Sequence, residues 1–155
     1  MSATEKKPPS TFEDLEVCQV AREFRKAMYR IGKRLPDIEK FGLASQVRRA
    51  ALSLTNNIAE GHGRYHYLDQ IKFTLQSRGS LEELIDDLNV CADEGYLPIE
   101  EIGSLKQQGW RLRQLIDGYI RYLRDQKNAA GSSSAREPSP VYGDVEFEDD
   151  SRFSI

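Results

Sequence analysis

The sequence has few cysteines and no long apolar run. Its 155 residues include two cysteines, and both Cys18 and Cys91 fall inside apolar patterns of helical spacing, so we expect reduced, buried thiols rather than a disulfide. No segment approaches the roughly 20 apolar residues that span a bilayer, and the first ten residues lack the apolar stretch of a signal peptide. We therefore expect a cytoplasmic protein of one domain that makes no membrane contact.

Motifs of enzyme active sites are also missing. There is no phosphate-cradling glycine loop and no nucleophile elbow, and the adjacent acids Glu82-Glu83 and Asp86-Asp87 point in different directions on a helix. His62 and His66 are four residues apart, but the intervening glycines favour solvated loop histidines over a rigid metal site. We expect no enzyme activity, no cofactor and no metal.

The net charge of −3 conceals a strong separation of charge along the chain. Residues 128–155 hold six acids and two bases, whereas residues 22–49 hold nine bases and three acids. Residues 82–101 hold eight acids and no base. This separation predicts opposite potentials on different surfaces, which favours contacts between neighbouring copies and anionic partners on the basic side.

Apolar residues at three- and four-residue steps predict the first two helices. A capping-box pattern at Ser10 and Glu13 precedes helix one, which should end near Arg34 because Pro36 disfavours helical geometry in the residue before it. The second helix runs from Leu43 to about residue 61, where Gly61 and Gly63 are predicted to adopt left-handed conformations that terminate it.

The third and fourth helices are predicted from Leu68 to Gly95 and from Pro98 to about residue 127. Short connections make consecutive helices antiparallel neighbours. We predict an all-α, antiparallel up-and-down four-helix bundle at residues 12–127. It should be preceded by a flexible N-terminus at 1–11 and followed by a disordered acidic tail at 128–155.

More apolar residues occur than one inward face of each helix can absorb. Because aromatic residues concentrate in interface cores, this excess favours self-association over a purely monomeric bundle. The candidate oligomer interface comprises Phe73, Trp110, Leu115, Ile120 and Tyr122.

Two sets of cations are candidates for contact with nucleic-acid phosphates. One lies at helical spacing on helix one and the other on helix four, and a solvated or ion-paired surface is the alternative interpretation. The first set is Arg22, Lys26, Arg30 and Lys33, and the second is Arg111, Arg113, Arg121 and Arg124.

A polar network is predicted between helices two and three. Glu60 or Glu83 would accept hydrogen bonds from Arg48 or Arg49, with Asn57 and Ser80 bridging, and Gly79 would permit close approach. We interpret these residues as structural, setting the pairing and register of the two helices.

The stretches SQVRRAALSLTNNIAEGHGR at 45–64 and RGSLEELIDDLNVCADEGYL at 78–97 resemble the family of 23S ribosomal RNA intervening sequence proteins, over about residues 12–126. The most telling parts are QVRRA, NIAEG and GSLEEL. The resemblance implies a four-helix subunit that forms a ring, typically a homopentamer, without established catalytic activity. This fold is similar to that of the accessory protein of diversity-generating retroelements, which binds a reverse transcriptase and nucleic acid.

The residues and the resemblance together suggest a non-enzymatic, homo-oligomeric scaffold. It would bind RNA or DNA without sequence specificity, as an accessory to a nucleic-acid-processing enzyme. A protein-binding adaptor without nucleic-acid contact is the alternative. In the first case the acidic tail could compete with nucleic acid for the basic surface.

Overall fold

A computed structural model describes residues 11–132, which form four helices and, within that range, no strand. The helices are α1 (Glu16–Arg34), α2 (Leu43–His62), α3 (Tyr67–Asp93) and α4 (Ile99–Ser132). Short 3-10 turns at Phe12–Asp14 and Asp37–Glu39 precede α1 and α2. The predicted all-α four-helix fold is confirmed.

The two ends of the chain fall largely outside the described range. The flexible N-terminus predicted at 1–11 lies outside it except for Thr11, as does the disordered tail predicted at 128–155 except for residues 128–132. Those five residues belong to α4, so the helix is longer than predicted. Ala129 and Ala130, which favour helix more than any other residue type, account for the continuation.

Helix ends set by proline and glycine agree with the sequence prediction. Leu35 adopts an extended conformation before Pro36 and ends α1 after Arg34. Gly95, with φ of 66°, follows α3 and supplies the left-handed turn. Ser10 of the predicted capping box lies outside the described range, but the Asp14 carboxylate accepts a hydrogen bond from the Thr11 N–H at 3.0 Å.

The predicted roles of three glycines are wrong. Gly61 lies inside α2 and Gly63 has φ of −77°, so neither is left-handed. A Cβ on Gly61 would lie 2.9 Å from the Phe73 Cβ, which shows that this glycine permits α2 to approach α3. Gly79, predicted to permit close approach, is exposed and a Cβ there would meet nothing within 4 Å.

The helices pack in sequential order around one core. α1 packs on α2 and α4, and α3 also packs on α2 and α4, which places α1 and α3 at diagonally opposite corners. Fully buried side chains from all four helices fill the centre, including Phe24, Leu54, Leu84 and Ile116. Ile120 is only 4% exposed and belongs to this core, so its predicted place in an oligomer interface is wrong.

Both cysteines are free thiols. Cys91 is fully buried and Cys18 half-buried, and burial raises the pKa of each to about 11. Protonated thiols are poor nucleophiles, which fits a packing role. Among the helices of residues 11–132, none is both long and apolar enough to cross a membrane.

Candidate nucleic-acid interface

The outward face of α1 carries a row of four cations. Arg22, Lys26, Arg30 and Lys33 are all exposed, while the opposite face of the helix buries apolar residues such as Phe24. Eleven residues of helix separate the first cation from the last, a length of roughly 16 Å. We call this row the α1 basic face.

One acid lies within the α1 basic face. The Glu23 carboxylate accepts a hydrogen bond from the Lys26 ammonium group at 3.0 Å. This bond, with the attraction of Lys26, Arg22 and Arg30, lowers the pKa of Glu23 below its ordinary value. Along α1 from Arg22 to Lys33 one carboxylate therefore lies among the four cations, and the surface retains a positive potential.

Arg113 of α4, predicted to contact nucleic acid, is engaged inside the bundle. Its guanidinium lies 2.8 Å from the Glu82 carboxylate of α3 and 3.9 Å from Asp117. Arg78 of α3 also pairs with Asp117, at 3.3 Å. These ion pairs join α3 to α4, so Arg113 is a structural residue and its prediction as a phosphate contact is wrong.

The other arginines of helix four do not form one row. Arg111, Arg121 and Arg124 are exposed, but at 100° per residue Arg111 and Arg124 lie about 140° apart around α4. They cannot all face the phosphates that α1 would contact. The structure thus brings together the helix-one set and disperses the helix-four set.

Exposed acids occupy the corner of the bundle diagonal to α1. On α3, Glu83, Asp86 and Asp93 are exposed, whereas Asp87 is buried. Desolvation raises the pKa of Asp87 to about 6, and repulsion from Glu83 and Asp86 adds to the rise. The charge separation along the sequence is therefore a separation in space between α1 and α3.

The polar contacts between α2 and α3 differ from those predicted. Ser80 donates to the Ser53 hydroxyl at 2.9 Å, and the Asn57 side chain donates to the Ser53 hydroxyl and main-chain carbonyl, both at 2.9 Å. Ser77 donates to the Leu54 carbonyl at 2.6 Å. Sequence analysis missed Ser53 and Ser77. Ser53 precedes the core residue Leu54 and Ser77 lies four residues before the core residue Leu81, so helical spacing was a usable signal.

The charged members of the predicted polar network are placed elsewhere. Glu60 accepts from Arg64, which lies just after the end of α2, at 2.7 Å, so its predicted bond with Arg48 or Arg49 is wrong. Arg49 and Glu83 line one groove between α2 and α3, but within residues 11–132 no ion pair joins them at 4.0 Å or less. Small hydroxyl groups, rather than charges, join α2 to α3.

Large apolar side chains are exposed at several places on the bundle, and two of these regions are candidates for binding a partner. Trp110 and Tyr122 of the predicted interface are 41% and 55% exposed, whereas Phe73 and Leu115 are partly buried. A second region, which sequence analysis missed, lies where the α1–α2 connection and the start of α4 meet at one end of the bundle. Its residues Ile38, Phe41 and Ile99 are 85%, 89% and 68% exposed.

The two histidines lie at the α2–α3 connection. His62 ends α2, and His66 precedes α3 with its ring 5.1 Å from that of Tyr65 in an edge-to-face arrangement. In the described part of the chain, no group of three histidine, cysteine or acidic side chains is placed to hold a metal ion.

Comparison with known proteins agrees with this architecture. No curated protein matches the chain. The sequence model of the 23S rRNA-intervening sequence protein family matches residues 13–118, which include α1, α2, α3 and most of α4. The chain belongs to the 23S rRNA-intervening sequence protein family.

Proposed function

We propose that this protein is a non-enzymatic, self-associating cytoplasmic scaffold that binds RNA or DNA through phosphate contacts made by the α1 basic face. It would serve as an accessory to a nucleic-acid-processing enzyme. The observation that carries the proposal is the common exposure of Arg22, Lys26, Arg30 and Lys33 on one side of α1. A straight row of flexible cations follows a phosphate backbone but reads no base sequence.

Self-association is the second part of the proposal. One α1 basic face offers few contacts, but a ring, expected from the family to be a homopentamer, would present several to one nucleic acid and multiply weak binding. The exposed rings of Trp110 and Tyr122 supply apolar area for the contact between subunits.

A salt-titrated gel-shift assay tests the nucleic-acid part. Affinity for a duplex without a defined site should fall as salt rises, with a log-log slope of about −0.9 for each phosphate contacted. Unrelated sequences of equal length should bind equally. Binding that does not weaken with salt would contradict a phosphate-based interface.

A protein-binding adaptor is the alternative function, and one observation favours it. Ile38, Phe41 and Ile99 expose apolar area at a single end of the bundle, as docking sites for proteins do. The adaptor function would be supported if no nucleic acid bound at low salt while substitutions of Phe41 abolished capture of a cellular protein.

A further inference from the structure

A cavity of about 310 Å³ opens between the first 3-10 turn, α1 and α2. It lies beside the α1 basic face and shares Arg22 with it. Its lining combines two arginines, one carboxylate, three apolar side chains including a cysteine, and two neutral polar side chains. These residues are Phe12, Glu13, Cys18, Gln19, Arg22, Arg25, Thr55 and Ile58.

Arg25 is the residue of this cavity that most requires a partner. Its guanidinium is half-buried and donates one hydrogen bond, at 3.0 Å, to the Thr55 hydroxyl. A guanidinium has five N–H donors, and within residues 11–132 no carboxylate lies within 4.0 Å of it. Because a partly desolvated cation is stabilised by a paired anion, the cavity is suited to an anionic occupant.

The rest of the lining indicates that the occupant also carries an apolar group. Phe12 is 40% exposed and Cys18 half-buried, and both border the cavity with Ile58. A ligand that buries a ring while placing carboxylates on the arginines would gain from both surfaces.

We propose that residues 144–150, with the sequence DVEFEDD, dock into this cavity within the same chain. Phe147 would lie against Phe12 and Ile58, and the flanking carboxylates of Glu146 and Glu148 would pair with Arg25 and Arg22. Two ends of the chain lie outside the described range, and their charges indicate which of them suits the cavity. Residues 1–10 contain two lysines and one glutamate, whereas residues 144–150 contain five acids and no base.

The chain is long enough for this docking. A Cβ on Gly109 would lie 3.4 Å from the Phe24 ring, so Cys18 is level with about residue 115 on antiparallel α4. Ser132 is then roughly 25 Å farther along the helix, and the 15 residues from 133 to 147 span up to roughly 50 Å. The tether also keeps the segment at an effective concentration in the millimolar range.

Docking would regulate nucleic-acid binding, and this consequence rests on the proposed function. The docked segment would neutralise Arg22 and bring further acids to the α1 basic face. Nucleic acid and the segment would compete for the same cations, so binding would be weaker in the docked form.

Disulfide trapping tests the docking itself in the full chain. With Cys91→Ala removing the second thiol and oxidised glutathione supplied as the oxidant, Val145→Cys should form an intrachain disulfide with Cys18 about tenfold faster than the control Ser154→Cys, because docking raises local concentration. Val145→Cys keeps Phe147 and both flanking glutamates, and position 154 is far enough along the tether to reach Cys18 without docking. Arg25→Gln should slow trapping at position 145. Equal rates at positions 145 and 154 would overturn the proposal, as would a disulfide that links two chains.

A second measurement needs no introduced cysteine. Iodoacetamide should alkylate Cys18 about threefold faster when Glu146, Glu148, Asp149 and Asp150 are changed to their amides, because the segment no longer shields the thiol. An unchanged rate of Cys18 alkylation would count against docking. Inorganic phosphate that slowed this alkylation equally in the native protein and in the amide variant would also count against it, because the cavity would then be equally open in both.

The gel-shift assay separates this inference from the proposed function. The trapped protein should bind RNA about tenfold more weakly than the same protein after reduction. If trapping succeeds and neither form binds RNA or DNA, the docking stands and the nucleic-acid function fails. If both forms bind equally, the segment does not regulate the α1 basic face and that consequence fails.

Discussion

Gly61 of α2 and Phe73 of α3 are packed so closely that a Cβ on the glycine would lie 2.9 Å from the Cβ of the phenylalanine. The main-chain oxygen of Gln70 would be 3.2 Å away. Neither atom is the end of a flexible side chain, so any larger residue at position 61 must push α3 away from α2. The glycine therefore sets the separation of two helices at the end where the α2–α3 connection turns the chain.

Alanine usually stabilises a helix relative to glycine, but at position 61 it should destabilise the protein. Gly61→Ala should lower the free energy of unfolding by about 1–3 kcal/mol through overpacking. Gly79→Ala is the matched control, because it lies in open space inside α3 and should stabilise the protein by about 0.5–1 kcal/mol. Urea unfolding followed by circular dichroism measures both, and equal effects of the same sign would contradict the close approach.

The buried carboxyl of Asp87 should make stability depend on pH. One of its oxygens, Oδ2, has no hydrogen-bond partner within the described residues, and burial raises its pKa from 3.8 to about 6. The fold therefore favours the protonated form. The contribution of Asp87 to the free energy of unfolding is fully present below pH 4 and is lost as the pH rises through about 6.

Asp87→Asn should remove that dependence. At pH 8 the variant should be more stable than the native protein by up to about 3 kcal/mol, since each pKa unit corresponds to about 1.4 kcal/mol. The difference should shrink towards pH 4. Asp86→Asn at the exposed neighbouring position is the control and should change stability by less than about 0.5 kcal/mol. A constant difference between pH 4 and pH 8 would rule out ionisation as its source.

Features that depend on local chemistry were predictable from the sequence. Pro36 and Gly95 fix the ends of α1 and α3 through their own backbone preferences, and the apolar stripes reveal which face of each helix is buried. The cations of α1 were also predictable as one exposed face, because all four belong to a single helix.

Features that depend on a neighbouring helix were not predictable. The spacing of Arg113 resembles that of a surface cation, and only the position of Glu82 on α3 shows that it is paired. Ile120 looked surplus to the core because the depth to which α4 is covered depends on two other helices, α1 and α3. Glycine commonly ends a helix, which is why Gly61 was predicted to do so. Its role in the close packing of α2 on α3 is visible only beside Phe73.

Removing charge from the α1 basic face should reduce the salt dependence of nucleic-acid binding. Arg30→Gln and Lys33→Gln are suitable changes, because within residues 11–132 neither side chain forms an ion pair. Each should make the log-log slope on duplex DNA shallower by about 0.9 per copy contacting a phosphate. Gel shifts at several salt concentrations measure this slope.

Lys72→Gln is the matched control for that experiment. Lys72 is an exposed cation on α3, the helix diagonal to α1, and its loss changes the net charge by the same amount. The slope for Lys72→Gln should equal that of the native protein. If all three variants weakened binding alike, the attraction would come from total charge rather than from the α1 basic face.

Self-association should depend on the exposed aromatic residues of α4. Tyr122 is 55% exposed and stacks on Tyr119 with ring centroids 6.3 Å apart, so a charge at this position would face any subunit that packs there. Tyr122→Asp should reduce the mass measured by light scattering to that of a single chain, because an unpaired charge in an interface core costs several kcal/mol. A strictly monomeric native protein at micromolar concentration would refute self-association.

Two further variants locate the interface. Asn56→Asp places the same charge on an exposed position of α2, the helix diagonal to α4, and should leave the assembled mass unchanged. Phe41→Asp changes the other exposed apolar region, at the end of the bundle, and should also leave it unchanged. Should Phe41→Asp dissociate the assembly while Tyr122→Asp does not, the subunits meet through the loop end. The α1 basic faces would then be oriented differently in the assembly than if the subunits met through the aromatic residues of α4.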